Sequence, residues 1–273
     1  MVFSVRDGAE PGLASFDEAK GLLGPADGPP IEIVNPHGSS RVLITCEHAA
    51  NRLPLALGSL GLAAEALESH IAWDPGAAPV ARGLAQRLDA TAILQRFSRL
   101  AHDCNRPAGS EAAMPTRSEA FDIPGNRDLT AAARKARSEA LYLPFHAAVG
   151  GLLDQRRRGG RHPVLVTVHS FVPRYHGRPR EVELGILHDS DPRLADALLA
   201  LAAKGALDVR RNEPYGPEDG VTHTLRVQAV PRGLLNVMIE IRSDLVAEPQ
   251  GQEAMAARLA GWLGEALDGL GTG

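Results

Sequence analysis

The sequence predicts an α/β fold built on a mostly parallel sheet. Two observations carry that prediction. Short unbroken apolar runs, "VLITC", "TAILQ", "VLVTV" and "NVMIEI", lack the alternation of a strand with one wet face, so they read as strands covered on both sides. Helical patterns lie between them, as the crossovers of parallel strands require. With 273 residues, 44% of them hydrophobic, the chain can build one large core.

Taken in order, residues 1–40 are rich in Gly, Pro and acidic groups and read as an irregular N-terminal arm with at most a short helix around 15–23, followed by a single domain over 41–273. The run 42–47 is a strand, and turns with a short helix fill the stretch up to Asp74. Pro75 then opens an amphipathic helix that carries Val80, Leu84 and Leu88 on one face and Arg82, Gln86 and Arg87 between them. Residues 91–97 form the next strand. The polar segment 98–128 holds three prolines and reads as a long loop, a length that compact domains usually reserve for function. A helical pattern over 129–158 contains Pro144, which should kink or reset it, and "RRRGGR" suits a solvated helix end. Strands at 162–171 and 181–189, a helix over 192–205, a strand running into a loop at 207–216, a strand centred in 233–245 and a final helix over 249–270 complete the chain.

Bulk properties narrow the partners. A net charge of −4 supplies no concentrated basic footprint for nucleic acid. No apolar run reaches the ~18–20 residues needed to span a bilayer. Two cysteines, Cys46 and Cys104, are too few for a disulfide framework, and no charged-then-apolar leader is visible, so a cytoplasmic protein acting on a small molecule is expected, with its oligomeric state left open.

The chemistry concentrates at strand ends. The strand at 42–47 delivers Glu47 and His48, the one at 162–171 delivers His169 and Ser170, Asp74 precedes a helix, and Glu240 stands inside an apolar strand where an unpaired carboxylate would be costly. Two imidazoles and a carboxylate form a set that Zn²⁺ favours while leaving a position open for water, and a further acid, Glu240, is then needed to move the proton. Strand ends in such sheets converge on one rim, where scattered residues meet.

The stretches "CEHAANRLP", "HIAWDPGA", "SRLAHDCNRP", "VHSFVP", "NEPYG" and "VMIEIRSDL" together resemble the N-formylglutamate amidohydrolase family over most of residues 40–246. That resemblance implies a three-layer α/β/α fold with a mixed, mostly parallel central sheet, of the zinc-dependent exopeptidase type. It also implies hydrolysis of the amide of a small N-acyl amino acid, N-formyl-L-glutamate foremost, with one Zn²⁺ or another divalent metal per chain. It places His48, Asp74 and His169 as ligands and Glu240 as the base. The chain departs from the family pattern around its first His, with Glu47 before it and Ala49-Ala50 after, and Glu47 or Asn51 stands open as an alternative third ligand.

A substrate carboxylate calls for arginine, whose planar fork matches it. Arg99, Arg106, Arg178, Arg180 and Arg242 are candidates, with Asn105 and Tyr215 as further substrate contacts; Asn105 has a competing reading, with Asp103, as a brace behind a ligand histidine. Arg242 has a competing reading as an ion pair with Glu240 or Asp244. Glu47, Asn51, Asp103 and Ser170 are expected to brace the ligands from behind, as metal sites require. His102, His146 and His223 stay outside the metal set. Rival readings are a Cys46 thiolate with His48 as its base, a peptidoglycan-type amidase, and a non-catalytic binder of small acids.

Overall fold

The computed structural model describes residues 21–271. In chain order the elements are β1 (Ile31–Val34), β2 (Val42–Cys46), α1 (Ala64–Glu68), α2 (Ala77–Arg87), β3 (Thr91–Gln95), α3 (Ala131–Arg137), α4 (Leu143–Arg158), β4 (Val164–Phe171), β5 (Leu184–Leu187), α5 (Arg193–Ala202), β6 (Val209–Arg211), β7 (Asn236–Arg242) and α6 (Pro249–Leu270). The seven strands form one sheet in the order β1-β3-β2-β4-β7-β5-β6. The central strands β3, β2, β4 and β7 run parallel, while β1 pairs antiparallel with β3 and β5 antiparallel with β7, so the sheet is mixed and mostly parallel as expected.

Layering follows from side-chain parity, because successive residues of a strand point to opposite faces. Val42, Ile44, Val166, Val168, Val237 and Ile239 pack under α2, α5 and α6 on one face. Leu43, Ile93, Leu165 and Met238 pack against Phe145, Val149 and Leu153 of α4 on the other. Helices on both faces explain why β2 and β4 are buried at every position and why their sequences do not alternate. In α2, Val80, Leu84 and Ala81 are fully buried, and burying each of the two larger side chains contributes roughly 1.5–3 kcal/mol.

One local expectation changes. Residues 31–34, expected within an irregular arm, form an edge strand registered from Ile31↔Gln95 to Val34↔Ala92, because "IEIV" has enough β-branched character to extend the sheet despite its Pro/Gly-rich flanks. The short helix expected around 15–23 falls mainly outside the described residues. The helical stretch before residue 158 is reset as Pro144 requires: α3 widens into a π-turn at Ser138–Tyr142, which passes the prolines's missing N–H, and α4 begins at Leu143. Among the described residues, no helix is long and apolar enough to cross a membrane.

The parallel register builds a gradient along the α4 face of β2, β4 and β7. Leu43 and Leu165 are neighbours, then Thr45 and Thr167, and at the rim Glu47, His169 and Glu240 complete the row, with Glu240 directly opposite His169. Apolar side chains anchor the strands, and the ionisable ones emerge together at the end.

Candidate metal centre and active site

His48 follows β2, and its backbone carbonyl accepts the Asp74 N–H at 2.9 Å, which ties the two segments together. The turn after Asp74 passes through Gly76 (φ +82°), where a Cβ would lie 2.5 Å from both the side chain and the carbonyl oxygen of Val246. Glycine is therefore required on two counts, and the turn launches α2 at Ala77.

The ligand atoms converge. His48 Nδ1 lies 3.2 Å from Asp74 Oδ2, His169 Nδ1 lies 2.9 Å from the same oxygen, and the two Nδ1 atoms are 3.2 Å apart. All three residues are buried. Behind the rings stand two further acids: His48 Nε2 is 2.7 Å from Asp103 Oδ1, and His169 Nε2 is 3.1 Å from Glu47 Oε2. The latter contact is off-axis, so it is an electrostatic contact more than a linear hydrogen bond, and Glu47 Oε2 lacks any hydrogen-bond partner. An imidazole facing a carboxylate keeps its proton there, so both rings carry hydrogen on Nε2 when neutral. Both Nδ1 lone pairs then point at one place together with an Asp74 oxygen, an arrangement that repels itself unless a cation sits between them.

The surrounding charges agree. Burial opposes ionisation of Asp74, but His48 and His169 hold it well below the usual carboxylate range. Burial likewise opposes a charge on Asp103, and Arg99 and then His48 outweigh it. Glu47 is lowered against its burial by His169. In turn His169, which burial alone would keep neutral, is raised well above the ordinary imidazole by Asp74 and Glu47. Three ionised carboxylates around two imidazoles create a strong demand for positive charge at the centre, which a second proton on His169 meets in the absence of a cation and which a metal ion would meet by displacing that proton. Tetrahedral ligands at ~2.0–2.2 Å from a divalent ion stand about 3.3–3.5 Å apart, within a few tenths of an ångström of the separations found here. The His48, Asp74 and His169 group fits a metal.

Comparison with known proteins now decides the family. A model of N-formylglutamate amidohydrolase matches residues 40–247. The chain belongs to the N-formylglutamate amidohydrolase family. Its structure is similar to that of the gene product Atu2144 from Agrobacterium tumefaciens, at 55% identity and a TM-score of 0.90 over 91% of this chain and 99% of that one. It also shares its fold with N-formylglutamate amidohydrolase from Ralstonia eutropha JMP134, at 18% identity and a TM-score of 0.62 over 87% of this chain and 99% of that one. No curated protein matches. The family is one of amidohydrolases.

Within this amidohydrolase, a cavity of about 480 Å³ opens beside His48 and Asp74. Glu240 is 4% exposed, accepts a hydrogen bond from the Tyr215 hydroxyl at 3.2 Å, and is raised to about 7 chiefly by burial. Burial, with Glu240 and Asp74 nearby, raises Tyr215 well above the ordinary phenol, so it stays protonated and donates. Ser170 braces Asp74 through its backbone N–H at 3.3 Å, while its hydroxyl donates to the Pro75 carbonyl. Arg99 lines the cavity and pairs with Asp103 at 2.7 Å and Asp74 at 3.6 Å, and Arg106 lines it as well.

Other expectations are corrected. Glu47 sits on the Nε2 side of His169, away from the converging lone pairs, and Asn51 donates to the Leu67 carbonyl at 3.1 Å, so neither replaces Asp74 and Asn51 braces no ligand. Asn105 takes its bracing role and not the substrate one: its backbone N–H holds at 2.8 Å the Asp103 Oδ1 that faces His48, and its side chain bonds the Val221 carbonyl and the Thr224 N–H. Arg178 is exposed on a two-residue ribbon outside the cavity. Arg242 points out of the site, toward Asp244 at 2.8 Å and the Glu181 carbonyl at 2.9 Å, because the strand ends there and acids flank it; it makes the competing ion pair with Asp244 and not with Glu240. Burial raises both the Cys46 and Cys104 thiols, which removes the thiolate reading. Sequence reasoning missed His70 and Glu119, paired at 3.0 Å in the cavity wall, because the long loop gives no register from which to place Glu119.

Proposed function

We propose that this amidohydrolase is zinc-dependent and cleaves the amide of N-formyl-L-glutamate to formate and L-glutamate. The observation that carries the reading is the convergence of two Nδ1 lone pairs and one carboxylate oxygen, each ring backed by its own acid. Zinc held by His48, Asp74 and His169 would polarise the substrate carbonyl and bring the pKa of water from 15.7 toward ~7. Glu240 then takes the proton of the attacking water and hands it to the leaving nitrogen; burial, which raises its carboxyl above the ordinary range, suits a group that must both accept and donate. The Tyr215 hydroxyl orients that carboxylate. Arg99 holds Asp103 and Asp74 in place. The remaining arginines of the cavity favour an anionic substrate.

The test is amine release from N-formyl, N-acetyl and N-succinyl amino acids by the purified chain, before and after chelation, with metal analysis. About one zinc per chain, with N-formyl-L-glutamate the best substrate and activity lost on chelation, is expected. Turnover that survives removal of the metal would overturn zinc dependence, and preference for another acyl group would overturn the substrate. Glu240→Gln should retain the metal and lose ~10²–10⁴ in kcat; normal turnover in that variant would remove Glu240 from the reaction.

A further inference from the structure

Besides His48, four basic side chains line the cavity, and their partners differ. Arg99 is neutralised by Asp103 and Asp74, and His70 is paired with Glu119. Among the described residues, Arg106 and Arg180 make no ion pair. Arg106 is fixed by backbone: its Nη1 donates to the Asn105 carbonyl at 2.9 Å and the Gly220 carbonyl at 3.1 Å. It belongs to the same short segment as Asp103, whose carboxylate touches His48. Arg180 is held differently, by rings. Its guanidinium lies 4.6 Å from the Tyr175 ring centroid, 5.4 Å from that of Tyr215 and 5.5 Å from that of Phe171.

Three aromatic faces restrict a guanidinium while leaving its N–H edge unspent, since stacking uses the face of the ion and not its donors. Arg180 is thus a preorganised cation with its hydrogen-bonding capacity unused inside the substrate cavity. It follows the exposed ribbon formed by Arg174–Tyr175 and Arg178–Pro179, an appendage to the sheet. Its backbone is steadied from behind, because Arg180 N–H donates to the Pro173 carbonyl at 2.8 Å and Arg242 holds the adjoining Glu181 carbonyl.

Two guanidinium groups without acid partners match a ligand with two carboxylates. The one locked by two backbone carbonyls beside Asp103 suits the α-carboxylate, which every N-acyl amino acid carries. The one that follows an exposed ribbon and is held by rings suits the group that varies between substrates. Resting on the amidohydrolase reading above, we propose that Arg180 binds the side-chain carboxylate of the substrate and is the residue that selects an acidic over a neutral amino acid.

The experiment compares N-formyl-L-glutamate with N-formyl-L-glutamine, which differ at that one group, on the zinc-loaded full chain and its Arg180→Gln and Arg180→Lys variants. Arg180→Gln should lower kcat/KM for the glutamate substrate by about 10- to 100-fold, mainly through KM, and change the glutamine substrate by less than about threefold. Arg180→Lys should restore part of the preference. Equal losses on both substrates would assign Arg180 to the α-carboxylate or to structure, and an unchanged preference would remove it from recognition; either overturns the proposal. Should the wild-type chain hydrolyse neither compound, the proposed reaction fails by itself, and calorimetric titration with L-glutamate and L-glutamine decides the question for Arg180. Tighter glutamate binding that Arg180→Gln abolishes supports the assignment. A preference that survives the substitution, or no binding of either amino acid, overturns it.

Discussion

Two groups of buried histidines stand among the described residues, and one of them has the carboxylate partners that suit a cation. At the sheet rim, His48 and His169 each face a carboxylate through Nε2 and turn Nδ1 toward a shared point. On the α4 side, His102, His146 and His223 surround Tyr142, and their partners are neutral: Ser138 Oγ, the Cys104 carbonyl and the Tyr142 hydroxyl. Burial lowers His102 and His223 to about 4 and lowers His146 too, whereas His169 is raised. Both groups are buried. Asp74 in front of the His169 ring and Glu47 behind it, not burial alone, set that imidazole apart from the other group.

The contrast can be broken most forcefully by deletion. His169→Ala should lose both bound metal and measurable amine release, while His146→Gln should keep both, as read by metal analysis and assay on the same preparations. Loss of metal in both variants would mean that the two groups act as one.

A second test uses acid. The unfolded chain takes up protons on His102 and His223 near pH 6.5 and the folded chain only near 4, so the unfolded state binds more protons in between and stability falls as pH falls through that window. For His102, 1% exposed, the loss is on the order of 3 kcal/mol between neutrality and pH 4. Urea midpoints measured from pH 7 to pH 4 on the wild type and on His102→Gln check it: the variant should lose less, and parallel curves would show that His102 is not a buried neutral group.

The smallest effect sharpens the comparison at a single atom. Asp103→Asn leaves the shape behind His48 and removes the charge, and should weaken metal binding by ~10–100-fold in competition with a chromophoric chelator. Unaltered affinity would reduce Asp103 to a packing element.

Much of this site is legible in the sequence because apolar runs that end in ionisable groups have few explanations. "VLITCEH", "VLVTVHS" and "NVMIEI" expose His48, His169 and Glu240 by that rule, and the parallel order of the strands brings them to one rim. The alternation within a strand even places Glu47 and Glu240 on the His169 face. What stays hidden depends on how loops close. Asn105 and Arg242 sit in the right segments, yet a backbone carbonyl of residue 221 and the acids at 183 and 244 claim them first. Spacing in sequence cannot show that competition. Edge strand β1 is obscured for a different reason: with four residues between Pro/Gly-rich flanks, its pairing with β3 comes from tertiary contact and not from a long apolar pattern.

The contact between Gly76 and Val246 has a reach beyond its own turn. Val246 closes the short 3₁₀ segment that leads to α6, so the aperture between Asp74 and the two imidazoles is pinned from the last part of the chain, which itself contributes no donor to the centre. The spacing of the three candidate ligands is thereby coupled to the docking of the terminal helix: whatever loosens that helix shifts Asp74 against the two rings, many residues away from either.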